Sequence, residues 1–197
     1  MDKQKEIRKI QANTIKTRTE NDDYIIEGYI NKYNTRSQFM GFFEEVRKGA
    51  FDKSLATKEY IPALYNHNSD KILGSTRSGS LKLISDDIGL KFNLRINPKI
   101  TYANDLYELV KAGDIEGCSF GFYVNDDEWT TLEDGNDLRS IKDLELIEVT
   151  ITPFPAYLDS SANCRSYEEH KKDSEEHKRN KDELRKIELE LIRLELE

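Results

Sequence analysis

Ser119, His67 and Glu148 are the side chains whose types could combine in acyl-transfer chemistry. A serine hydroxyl is a poor nucleophile until a base takes its proton, and the base works best when a third group orients it. Ser119 lies in Gly117-Cys118-Ser119-Phe120-Gly121-Phe122. Read as a strand, successive side chains face opposite ways. Cys118, Phe120 and Phe122 then share an apolar face, and Ser119 points to the other. Gly117 and Gly121 leave room there for another backbone to approach. His67 ends the run Leu64-Tyr65-Asn66. Of the three histidines, His170 and His177 fall in a charged C-terminal region, so His67 is the only imidazole open to a site in the folded domain. Glu148 interrupts Ile147 and Val149, on the strand face it shares with Leu146 and Thr150. Held against His67, it would fix the ring's tautomer and stabilise the imidazolium formed when Ser119 gives up its proton.

Each of the three also has an ordinary structural explanation: a small residue where strands pack closely, a histidine at a strand end, a solvated carboxylate. Their order is His, Ser, Glu, and triads are defined by geometry rather than order. Cys118 is the rival nucleophile, but strand parity sends it to the core if Ser119 faces the site.

The elements that must position these residues are short and mostly extended. Residues 24–30, 43–46, 61–66, 81–84, 90–94, 116–124, 129–132, 138–141 and 144–151 have the β-branched and aromatic content, or the alternation, of strands. Turns fall at 86–89 and 133–136. Helices are expected near 52–56 and over 104–112, the latter closed by Gly113. This makes a mostly β, α+β domain, with a barrel or sandwich expected. Residues 1–20 read as a flexible N-terminal segment, 21–165 as the folded domain, and 166–197 as a charged helical tail. Leu184, Ile187, Leu191 and Leu194 repeat in that tail at coiled-coil spacing over about two heptads. A short partner-binding seam and a solvated helix both fit.

Composition narrows the function classes. The formal net charge is -8, which argues against binding nucleic acid by phosphate neutralisation. No apolar run approaches the roughly 18 residues of a membrane span, and the start has no secretion-signal core. A soluble, cytosolic protein is expected. Cys118 and Cys164 make neither a disulfide framework nor a metal site, and no metal or other cofactor is expected. Asp86-Asp87 and Asp126-Asp127-Glu128 could attract a cation, but turn chemistry and solvation explain them at least as well. Phe43, Phe51, Phe120, Phe122 and Tyr123 lack interleaved basic residues, which favours core packing over base stacking.

From residue 24 to 165 the chain resembles the prohead (capsid maturation) proteases of tailed bacteriophages, whose fold is similar to that of herpesvirus assemblins. The likeness is carried by Glu27-Gly28-Tyr29, Glu44-Glu45-Val46-Arg47-Lys48-Gly49-Ala50-Phe51, Leu64-Tyr65-Asn66-His67-Asn68, Ile72-Leu73-Gly74 and Gly79-Ser80-Leu81-Lys82-Leu83. It continues through Gly89-Leu90-Lys91-Phe92, Ile115-Glu116-Gly117-Cys118-Ser119-Phe120-Gly121-Phe122, and residues 146–157. The resemblance implies an assemblin-like closed β-barrel flanked by helices. It places the family's histidine on His67, its nucleophile on Ser119 and its acid on Glu148. Asn68 and Thr150 stand where the family usually has aspartate and serine. Arg139 is a candidate for the oxyanion region, since assemblins use an arginine there. The implied activity is a serine endopeptidase that cuts scaffold and major capsid protein segments, and itself, inside an assembling procapsid in the host bacterial cytoplasm. Self-association follows by analogy, and the tail would link to scaffold or be removed. A catalytically silent assembly module of the same fold is the alternative.

Overall fold

The structure, a computed structural model, describes residues 4–10, 15–20, 23–153, 167–168, 170–172, 175–176, 179–181 and 183–186. The chain divides into two compact units, 1–160 and 161–197. In the second, the described residues are helical and mostly exposed. Of the proposed seam only Leu184 is described, and it is exposed; Ile187, Leu191 and Leu194, like His177, Cys164 and Arg165, lie outside the described residues.

The first unit has ten strands and two helices among its described residues: β1 (Glu6–Ile10), β2 (Ile15–Glu20), β3 (Asp23–Lys32), β4 (Phe43–Val46), α1 (Asp52–Thr57), β5 (Pro62–Tyr65), β6 (Asn68–Ser75), β7 (Leu81–Ser85), β8 (Gly89–Ile96), α2 (Thr101–Ala112), β9 (Gly117–Thr131) and β10 (Asp137–Thr152). One sheet runs β1-β9-β10-β5-β6, with β4 also paired to β10; the other runs β2-β3-β8-β7. Inward-facing residues of both sheets meet in one apolar core. Ile26, Ile30, Phe92 and Leu94 come from one sheet, and Phe120, Phe122, Val149 and Ile151 from the other. α2 closes one flank with Ala103, Leu106, Tyr107 and Val110. Gly113 ends it in the left-handed region (φ 87°), where a glycine pays no Cβ penalty.

Three expectations need correction. The strands form two sheets rather than a closed barrel. Where β6 turns into β7, backbone donors are satisfied by serine hydroxyls instead of a joining ladder: Ser75 N donates to Ser80 Oγ, and Ser78 N to Ser75 Oγ. Second, residues 6–10 and 15–20 are paired strands, not a loose segment. Among the described side chains of β1 the buried ones are Glu6 and Arg8, and charge pairing holds them. Third, residues 116–132 and 138–151 do not make separate short strands. β9 and β10 are single strands of 15 and 16 residues forming one antiparallel ribbon. Asp126-Asp127-Glu128, between the two expected strands, is neither a turn nor a bare acidic patch but part of the ribbon, paired across it with Arg139 on Asp127 and Lys142 on Asp126 and Glu128. The other acidic pair is turn chemistry: Asp86 accepts Ile88 N, Gly89 N and the Tyr29 hydroxyl, and Asp87 pairs with Lys48.

Phe120 is fully buried, packed on Phe51 and Phe122 with ring centroids 5.6 and 5.0 Å away. Phe120→Ala is expected to destabilise the domain by about 3–5 kcal/mol, read as a lower midpoint in urea unfolding at unchanged slope.

Candidate active site

Ser119 sits on β9 as its sequence context requires. Cys118, Phe120 and Phe122 enter the core, while the Ser119 hydroxyl lies on the opposite face. Cys118 donates from Sγ to the Tyr29 carbonyl at 3.2 Å, inside the core and away from Ser119's side of the strand. Gly117 faces the Thr152 carbonyl so closely that an added Cβ would lie 2.7 Å from it. Gly121 makes room for side chains rather than backbone: a Cβ there would lie 2.8 Å from Glu148 Oε1 and would collide with Lys5 Cε.

Glu148 reaches this face by an irregularity of β10. Leu146 pairs with Phe122, and Glu148 pairs with Gly121, so two steps on β10 answer one on β9. Such a bulge re-aims the residues that follow it. Leu146 therefore goes to the core while Glu148 joins Thr150, the cross-strand partner of Ser119. Simple alternation had put Leu146 and Glu148 on one face. The polar groups of Leu146 turn to the α1 region: its N–H donates to Ser54 Oγ at 2.8 Å, and its carbonyl accepts from Lys58 Nζ at 3.0 Å.

His67 is placed by a hairpin unforeseen in the sequence. β5 and β6 pair antiparallel, with Tyr65 opposite Asn68, leaving Asn66-His67 as a two-residue loop. Both have positive φ, 50° and 59°, as a type I′ turn demands. Thr152 Oγ1 donates to Asn66 Oδ1 at 2.8 Å, and His67 N donates to Thr150 Oγ1 at 3.3 Å. The ring then meets Glu148, with Nδ1 2.7 Å from Oε1. Thr150 donates to the other carboxylate oxygen, Oε2, at 2.8 Å. Thr150 is thus a positioning residue that the catalytic reading overlooked, although its parity with Glu148 was legible. His67 Nε2 is buried without a hydrogen-bond partner.

The acid and the imidazole are brought together; the serine shares their sheet face but bonds elsewhere. Its hydroxyl, wholly buried, donates to the Arg8 carbonyl of β1 at 2.8 Å. Lys5, the residue immediately before β1, places Nζ 3.1 Å from Glu148 Oε1. Arg139 is not brought to Ser119. Its guanidinium is committed to Glu6, Glu44 and Asp127, and Glu6 and Arg8 project on the Phe122 side of the sheet. Burial alone would lower the proton affinity of Arg139, but Glu44, Glu6 and Asp127 outweigh it and raise it. No described group of three or more His, Cys, Asp or Glu side chains could hold a metal ion.

Residues 11–173 match the family model of the caudovirus prohead serine protease. The chain belongs to that family. It is 28% identical over 134 residues to the prohead protease of Enterobacteria phage HK97, covering 67% of this chain and 56% of that one. It is 31% identical over 100 residues to the prohead protease of Escherichia phage T5, covering 51% and 43%. The chain thus spans about half the length of these curated relatives. Its fold is similar to the bacteriophage T4 capsid assembly protease, with a TM-score of 0.50 at 12% identity over 77% of this chain and 99% of that one.

Burial pushes the Glu148 carboxyl up, but the hydrogen bond and charge of His67, the Thr150 hydroxyl and Lys5 outweigh it, so it titrates below its ordinary 4.5. A carboxyl depressed by folding contributes stability that is fully present above its unfolded value and lost as pH falls through its folded one. Glu148→Gln should cost about 1–3 kcal/mol at neutral pH. The gap to wild type should close as pH falls below 4.5, measured by urea unfolding across the acid range.

Proposed function

We propose that the chain is a serine endopeptidase of capsid maturation, in which Ser119 attacks the scissile carbonyl, His67 carries the proton and Glu148 orients His67. The observation that carries this reading is the 2.7 Å contact of His67 Nδ1 with Glu148, which leaves Nε2 as the acceptor a hydroxyl needs. A carboxylate on Nδ1 fixes the tautomer with its lone pair on Nε2 and stabilises the imidazolium during acyl transfer. Water then hydrolyses the acyl-enzyme. Family membership supports the class of substrate in this proposal, scaffold and major capsid protein segments inside the assembling procapsid, with cleavage of the chain itself and self-association as further parts of it. The helical segment after residue 166 is assigned the role of carrying the enzyme into the procapsid with its substrate.

One observation favours the silent assembly module. The Ser119 proton is given to a backbone carbonyl and not to His67. The two readings separate in cells producing the chain with a capsid protein that carries its scaffold segment. Ser119→Ala should abolish cleavage, with turnover falling on the order of a millionfold, while Cys118→Ala leaves cleavage intact. Cleavage that survives Ser119→Ala and is lost with Cys118→Ala transfers the nucleophile to the thiol; no cleavage by the wild-type chain in assembled procapsids supports the module. Gly121→Ala tests the clasp on the acid. Its methyl would crowd both Glu148 Oε1 and the end of Lys5, so turnover should fall on the order of 100-fold with a loss of stability no larger than that of Glu148→Gln, measured by cleavage kinetics and urea unfolding.

A further inference from the structure

The strand that takes the Ser119 proton is itself informative. β1 pairs antiparallel along β9, with Arg8 opposite Phe120 and Lys9 opposite Ser119. An extended peptide added to a sheet edge gains main-chain hydrogen bonds from the edge and specificity from pockets for alternate side chains. β1 has both. On the core side, Arg8 is received by both carboxylate oxygens of Glu44 and stacks over Phe122, with Cζ 5.4 Å from the ring centroid. Glu6, two residues earlier, is received by Arg139 Nη1 at 3.0 and 3.1 Å. Glu6 and Arg8 are more than nine-tenths buried.

β1 also engages both ends of the catalytic set. The Arg8 carbonyl accepts the only proton the Ser119 hydroxyl can donate, and His67 Nε2 is left without a donor. The Lys5 ammonium shares Oε1 of Glu148 with His67. The family match begins at residue 11, immediately after β1.

We infer that β1 is the chain's own occupant of the substrate strand of β9, seated as an extended peptide would be and keeping Ser119 latent. The inference rests on the proteolytic reading. Departure of β1 frees the Ser119 proton for His67 Nε2 and opens the edge of β9. The site so opened suits an extended peptide with an acidic side chain for Arg139 and, two residues on, a basic one for Glu44. The carbonyl of that basic residue then lies at Ser119.

The test uses the full chain and a fluorophosphonate probe. Arg8→Glu sets a third carboxylate against Glu44 and Glu6, and Ile7→Pro removes a ladder position opposite Gly121. Both should label at Ser119 faster than wild type by on the order of tenfold or more. A synthetic peptide of residues 1–10 should slow them again, and the same peptide with Arg8→Glu should not. Folded variants that label at the wild-type rate, with labelling abolished by Ser119→Ala, overturn the latency and leave the protease standing. No labelling in any form overturns both. The wild-type chain decides if the variants do not fold. Labelling consumes the Ser119 proton and fills its place, so amides of residues 6–10 must lose hydrogen-exchange protection in labelled molecules; retained protection overturns the inference.

Discussion

The candidate site depends on one extra residue in one strand. β9 and β10 must supply the apolar core and the candidate site's polar face together, and alternation forbids Leu146 and Glu148 from serving different sides of a regular strand. The irregularity at Ile147 removes that conflict. Before it, Leu146 packs with Phe122 in the core; after it, Glu148 and Thr150 stand beside Gly121 and Ser119. The backbone released there is not left bare, because Ser54 and Lys58 take the polar groups of Leu146. α1 thus helps hold β10 in the shape that aims Glu148 at His67.

Charge supplies what apolar burial cannot at the edge of this sheet. Arg8, Glu6, Glu44 and Arg139 form a buried network crossing β1, β4 and β10. For Arg8, burial works against the charge, but Glu44 and Glu6 prevail over it and over repulsion from Arg139, so the guanidinium stays firmly cationic. A network of this kind is weak evidence for net stability, because desolvation opposes each attraction. Its effect is directional: it admits β1 in one register and one orientation. An edge gripped this way is specific without being apolar.

Much of this was legible in the sequence, and the misses share a cause. Parity alone put Cys118, Phe120 and Phe122 on the core side and Ser119 opposite. Helix α2 was read from its apolar spacing and Gly113, although its first turn begins three residues earlier, at Thr101. What could not be read was tertiary. β1 was hard to read because the buried positions among its described side chains are the charged Glu6 and Arg8. The ribbon looked broken because Asp126, Asp127 and Glu128 are poor strand formers until Arg139 and Lys142 lie opposite. Arg139 was offered to the oxyanion by the resemblance to assemblins alone; its carboxylate partners Glu6, Glu44 and Asp127 are a tertiary fact. The β5–β6 loop was missed because Asn-His lacks the glycine that usually marks such a turn.

That loop ties the location of the His67 ring to strand register. Asn66 and His67 both hold backbone angles that a β-branched side chain resists, and the ring projects from the apex of a two-residue reversal rather than from a strand. Slipping β6 by one place against β5 would present Asn66 or Asn68 to Glu148 instead of an imidazole. The hairpin therefore works as an alignment gauge for the ring: when Tyr65 faces Asn68, His67 is already beside Glu148, and no side-chain search is needed to bring it there.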